Sequence, residues 1–193
     1  MKVGFLFFAN SILMGFALAM DAFSVSVANA LSEPSMKHRK MILIAGTFAF
    51  FQIIMPLAGW GMLYALSEVF SFIEKAVPWI ALIVLGFLGV KMIIESARKT
   101  EKEELVSLSF SALMLQGIAT SIDALSVGFT ISSLTWQWAL VESLIIGAVT
   151  FGVCMAGLLI GKTIGLKIKK KAGLVGGIIL ICIGIEIFLV NIL

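Results

Sequence analysis

Met20-Asp21-Ala22-Phe23 and Ala119-Thr120-Ser121-Ile122-Asp123-Ala124-Leu125-Ser126-Val127-Gly128 decide how this chain folds. Each stretch puts one carboxylate inside an apolar run long enough to cross a bilayer. At a shift of 102 residues, 15–25 aligns with 117–127. Gly15/Gly117, Ala17/Ala119, Asp21/Asp123, Ala22/Ala124, Ser24/Ser126 and Val25/Val127 match, six of eleven positions. A shift of 100 adds Phe51/Phe151, Met55/Met155 and Gly61/Gly161. Internal symmetry of this kind marks the halves of a transporter.

The whole composition agrees. Of 193 residues, 61% are apolar and 13% are charged, with mean hydropathy +1.13. A soluble domain is about 25% charged, so a water-soluble globule is excluded. Disorder requires low hydrophobicity and is excluded too. A net charge of +3, carried mostly in loops, does not suit nucleic-acid binding. The expected fold is an all-α membrane protein, a single transmembrane domain over 1–193. Its six spans lie near 4–31, 41–66, 77–96, 107–131, 138–161 and 172–192. Repeat 1 (1–100) and repeat 2 (101–193) hold three spans each. Three is odd, so the second half enters the membrane from the opposite side. The spans therefore form two inverted-topology three-helix repeats.

Charge sets the expected orientation. The loops after spans 1, 3 and 5 carry Lys37, Arg39, Lys40, Arg98, Lys99, Lys102, Lys162, Lys167, Lys169, Lys170 and Lys171. The other side carries Lys2 and Lys75, and Lys91 lies within span 3. The positive-inside rule then puts both termini outside, N-out/C-out. Cys154 and Cys182 lie in apolar runs without a CxxC spacing and read as small buried hydrophobes. The lone His38 sits in a basic cluster and reads as a solvated loop residue.

Asp21 and Asp123 carry the chemistry. A charge deep in a span costs about 2.5–3.5 kcal/mol on insertion scales. An apolar residue avoids that cost, and this chain incurs it at the same place in both halves. At 100° per residue, Asn10, Met14, Ala17, Ser24 and Ala28 share a face with Asp21. Gln116, Ala119, Thr120, Ser126 and Thr130 share one with Asp123. Small residues allow close helix approach, and the oxygen-bearing ones can bond across helices or to their own backbone. Carboxylates, hydroxyls and amide oxygens, without His or Cys nearby, suit Mg²⁺, Ca²⁺ or Mn²⁺. Two ionised aspartates neutralise one divalent cation. An unpaired carboxylate in hydrocarbon favours its protonated form, so metal binding must displace protons, and the pair could support cation/proton exchange. In straight helices the two aspartates would lie about 10 Å apart along the bilayer normal. One shared site then needs unwinding or tilt; two successive sites need neither.

Other polar residues are pathway candidates. Gln52 stands one turn before Pro56, whose missing N–H releases the Gln52 carbonyl. Glu186 is a third carboxylate, in span 6. Glu142 falls at the outer start of span 5, at the expected interface. Lys91 and Glu95 reach toward the cytoplasmic surface. An intramembrane aspartyl protease also uses two aspartates, but its Gly-x-Gly-Asp signature is absent, and no catalytic residues or enzyme activity are expected.

With those strings quoted, the chain resembles the MntP family of bacterial manganese efflux pumps along nearly its whole length. Pro56 with Gly59-Trp60-Gly61-Met62, and Lys170-Lys171-Ala172-Gly173 running into Gly176-Gly177, also fit that family. The resemblance implies a multi-pass protein of the bacterial inner (plasma) membrane, grouped with the lysine exporters. It implies export of Mn²⁺ from the cytoplasm, with Asp21 and Asp123 holding the ion and no cofactor beyond this substrate. Relatives can carry an acidic residue where this chain has Gln52. The alternative is an exporter of another solute, a different divalent cation or an amino acid, on the same fold.

Overall fold

The computed structural model describes residues 4–62, 79, 82–83, 85–91, 93–94, 108–168 and 172–192. The described residues form helices and short turns, with no strand among them. In chain order they are α1 (Phe5–Ser32), α2 (His38–Met62), α3 (85–91), α4 (Phe110–Ala119), α5 (Ile122–Thr130), α6 (Trp136–Ile168) and α7 (Ala172–Ile192). A single 3₁₀ turn, Ile131–Ser133, follows α5. Among the described residues, four stretches are long and apolar enough to cross a membrane: Phe5–Ser32, His38–Met62, Phe110–Ser133 and Trp136–Gly165. Their outward surfaces expose Leu13, Phe16, Ile42, Phe50 and Leu159, which suits hydrocarbon and not water.

The expected bounds of spans 1 and 6 fall on α1 and α7. Residues 63–66 of span 2 and residues 77–78, 80–81, 84, 92 and 95–96 of span 3 lie outside the described residues. Span 5 differs at its end, because α6 continues seven residues past Gly161 to Ile168. A lysine marks where a helix leaves hydrocarbon, and the helix itself can go on into water. Pro56 lies inside α2, which continues through it. Span 4 differs most. It is two helices, α4 and α5, separated at Thr120-Ser121. Cys154 is buried as expected, but Cys182 is exposed on α7, because an apolar run does not say which side of its helix faces the protein.

The helices pack across the two halves of the sequence. α1 runs parallel to α6: Phe7 meets the Trp138 ring edge at 5.5 Å, Gly15 meets Ile146 and Val149, Phe23 meets Gly157, and Val27 meets Gly161. α4 and α5 follow α2 in the same way. Gly117 seats the Phe51 ring, Gly128 meets Pro56 and Gly59, and Trp60 Nε1 donates to the Leu134 carbonyl at 3.1 Å. α1 touches α2 far less than it touches α6. The core between them holds Val25, Ala28, Met41, Ile44, Phe48, Leu158 and Leu180.

The two ends of the bundle differ. At one end Lys40 pairs with Glu33, and Lys162 Nζ donates to the Met36 carbonyl at 3.0 Å. The loop after α1 and the end of α6 therefore share the charged end. At the other end Trp60 and Trp136 lie 5.9 Å apart, an aromatic girdle of the kind found at bilayer interfaces.

Gly59 and Gly128 let α2 and α5 touch backbone to backbone. A Cβ on Gly128 would overlap the Pro56 carbonyl and lie 2.7 Å from the Gly59 Cα. Gly128→Val is expected to destabilise the protein by about 1–3 kcal/mol or more. Gly61→Ala, with nothing within 4 Å of the added carbon, is expected to stay within about 0.5 kcal/mol of the parent. Thermal denaturation of the two variants in detergent checks the contrast.

Candidate functional site

The site is built around the interruption of span 4. Thr120 has φ −87°, ψ −1° and Ser121 has φ −117°, ψ 10°, so the α-helical ladder stops there and restarts at Ile122. The carbonyls left at the end of α4 need donors, since hydrocarbon offers none. Local groups supply them. Thr120 N–H and Oγ1 donate to the Gln116 carbonyl at 3.0 and 2.9 Å, and Ser121 Oγ donates to the Gly117 carbonyl at 2.7 Å. The Thr120 hydroxyl is thus committed to its own helix.

Asp123 lies in the first turn of α5, where its Oδ1 accepts from the Ala124 N–H at 2.8 Å. A helix N-terminus carries partial positive charge and favours a carboxylate. Asp123 is exposed. Ser126 and Thr130 are exposed on the same stripe of α5. A polar stripe on a membrane-length span is costly against lipid and suits a water-filled cavity.

Asp21 is half-buried on α1, with Ser24 half-buried one turn on. The Asp21 and Asp123 carboxylates are near enough to repel one another electrostatically. The break in span 4 falls in the turn before Asp123. Gln52 lies between the two motifs and is 1% exposed. Its Nε2 donates to the Leu18 carbonyl at 3.0 Å and to the Thr120 carbonyl at 3.3 Å. Leu18 stands three residues before Asp21, and Thr120 three before Asp123.

The remaining candidates separate from this centre. Gln116 is fully buried and pairs with Asn29: Asn29 Nδ2 donates to Gln116 Oε1 at 2.8 Å, and Gln116 Nε2 to Asn29 Oδ1 at 3.2 Å. This reciprocal amide pair ties α1 to α4. Asn10 is exposed near the start of α1. Glu186 belongs to α7, and its side chain lies outside the described residues, as does Glu95. Lys91 is exposed on α3. Glu142, expected at the interface, is buried in α6, one turn before the Ile146 that packs on Gly15. Sequence reasoning passed over Asn29 and undervalued Glu142, since spacing alone does not say which helix a polar side chain meets. The adjacent hydroxyls Thr120-Ser121, with an acid two residues on, are a helix-start signal from which the break was legible. No cluster of three or more acidic, His or Cys side chains occurs among the described residues.

Comparison with known proteins bears on what such a site handles. A family model described as "Putative manganese efflux pump" matches residues 35–188. A protein of Ruminiclostridium cellulolyticum named "Putative manganese efflux pump MntP" is 43% identical over 179 residues, covering 92% of this chain and 93% of its own. Proteins of the same name from Clostridium perfringens and Clostridium botulinum are each 38% identical, covering 92% of both chains. No solved structure matches.

The Asn29–Gln116 pair yields a direct test. Gln116→Leu leaves the buried Asn29 amide without its partner and is expected to cost about 1–2 kcal/mol. Adding Asn29→Leu is expected to recover part of that loss. A double-mutant cycle of unfolding in detergent checks the coupling.

Proposed function

The chain belongs to the MntP family, and from that membership we propose that it exports Mn²⁺ from the cytoplasm across the bacterial plasma membrane. The observation that carries the reading is a pair of aspartates within electrostatic range of one another, one of them in the first turn after an interrupted helix. Two carboxylates balance the charge of one divalent ion. Hard oxygen donors suit Mn²⁺. An interrupted span near the midplane is the usual setting of a transporter's ion site. Asp21 and Asp123 hold the ion, and Ser24, Ser126 and Thr130 line its path. No step makes or breaks a covalent bond in a substrate, so this is a transporter and not an enzyme.

The mechanism proposed is alternating access on six spans arranged as two inverted repeats. Three relations support that arrangement. α1 runs along α6 as α4–α5 runs along α2. Gly157 abuts the Phe23 carbonyl as Gly59 abuts the Leu125 carbonyl. Phe23 and Leu125 each stand two residues after their aspartate. The third relation is a crossing between α3 and α7. A Cβ on Gly89 would lie 2.6 Å from the Gly177 carbonyl and 2.7 Å from Ile181 Cγ1; one on Gly177 would lie 2.6 Å from the Gly89 carbonyl and 2.7 Å from Ile93 Cγ1. Such reciprocity is what a local two-fold axis produces. The shared charged end of the bundle supports an orientation with that end in the cytoplasm and both termini outside.

Proton exchange completes the cycle. Outward release of Mn²⁺ leaves two carboxylates close together in a low-dielectric site, and protons taken up from outside neutralise them for the return. The ion and the protons compete for the same oxygens, so affinity must rise with pH.

The test is expression in a bacterium lacking its own manganese exporter, with cell Mn read by mass spectrometry after a Mn²⁺ challenge. The parent protein is expected to lower cell Mn. Asp21→Asn and Asp123→Asn, at matched membrane levels, are expected to export at less than about a tenth of its rate. Full export by either variant overturns the site. A parent protein that leaves Mn unchanged overturns the substrate. In purified protein, Mn²⁺ affinity is expected to fall on acidification by up to about tenfold per pH unit for each proton displaced.

A further inference from the structure

The carboxamide of Gln52 is only half explained by its hydrogen bonds. Its Nε2 bonds two backbone carbonyls, of Leu18 and Thr120. Carbonyls can only accept, so the amide cannot turn over, and Oε1 is forced to the opposite side. That oxygen is buried and has no hydrogen-bond partner. A purely structural crosslink needs the N–H₂ group alone, and an orphaned acceptor in a low-dielectric site is a standing penalty. Oε1 needs a donor or a cation.

Position says which. The two carbonyls belong to the turns before Asp21 and Asp123. Helical side chains lean toward the N-terminus of their helix, which brings the Asp21 carboxylate over the turn that contains Leu18. Asp123 stays at the start of α5, its Oδ1 accepting from the Ala124 N–H. The Gln52 carboxamide is therefore braced against the backbone of both halves, three residues before each acid.

We propose that Gln52 Oε1 is a direct, uncharged oxygen ligand of the transported divalent cation, completing the set begun by Asp21 and Asp123. This rests on the efflux reading above and adds a third donor to its site. A neutral donor keeps the protein's charge at the ion at −2, equal and opposite to the cargo. A third carboxylate here would hold the ion after the site opens and slow its release. The amide N–H₂ has a separate task, keeping the oxygen at the meeting point of the two interrupted turns.

The experiment measures Mn²⁺ and Cd²⁺ binding to purified full-length protein in detergent, with Gln52→Met and Gln52→His. Methionine has similar length and replaces a hard oxygen with a soft thioether. If Oε1 is a ligand, Gln52→Met shifts the ratio of Mn²⁺ to Cd²⁺ affinity toward Cd²⁺ by tenfold or more. A residue that only braces the fold changes both affinities alike, and a shift below tenfold overturns the proposal. Histidine keeps one N–H for the carbonyls and offers its other ring nitrogen to the ion. Mn²⁺ bound to Gln52→His is then expected to show ¹⁴N coupling in pulsed EPR that the parent lacks. Bound Mn²⁺ without that coupling overturns the assignment. A parent protein that binds Mn²⁺ but does not carry it into liposomes removes the efflux reading and leaves the ligand test standing. Transport with an unmoved Mn²⁺/Cd²⁺ ratio in Gln52→Met does the reverse.

Discussion

A backbone carbonyl set free inside hydrocarbon must find a donor, and that demand organises the centre of this protein. The ladder of span 4 stops at Thr120-Ser121. The hydroxyls of those two residues turn back onto the end of α4, and Gln52 reaches across from α2 to the Thr120 carbonyl. Once the break is satisfied it becomes useful. It puts the positive end of α5 at the position of Asp123. The polar residues around the aspartates are thus there for two reasons. Some hold the backbone open, and others face the opening.

The second constraint is the exchange of partners between the halves. α1 lies on α6 and α4–α5 lies on α2 through glycines that admit backbone contact. Small residues are what lipid-embedded helices use to gain close packing, because lipid tails give no hydrophobic drive between helices. The consequence for motion is specific. A tilt of α1 would have to carry α6 with it, and a tilt of α4–α5 would have to carry α2. The Asn29–Gln116 pair adds a polar tie between α1 and α4 on the other side of the aspartates from the aromatic end.

Much of this was legible in the residues. Apolar runs and their lysines located α1, α2, α6 and α7, and the repeated aspartate motif located the two acids. The family resemblance drawn from those strings agrees with the family match. Gln52 stood out because an amide beside an intramembrane proline is unusual. What the residues did not disclose was commitment. Gln116 read as a neighbour of Asp123, yet its amide is spent on Asn29; Glu142 read as interfacial, yet it is buried in α6. Both have one cause. Helical period assigns a side chain to a face, but not the face to a neighbour.

Composition and the 102-residue repeat by themselves determined that this is a helical membrane protein with one aspartate in each half, because hydropathy and period act along the chain. Only the tertiary structure decided that Gln52 joins carbonyls 102 residues apart, and that Gln116 pairs with Asn29. Those facts rest on contacts between helices distant in sequence. Such contacts exist only when the helices close on one another, and no local signal specifies which glycine meets which carbonyl.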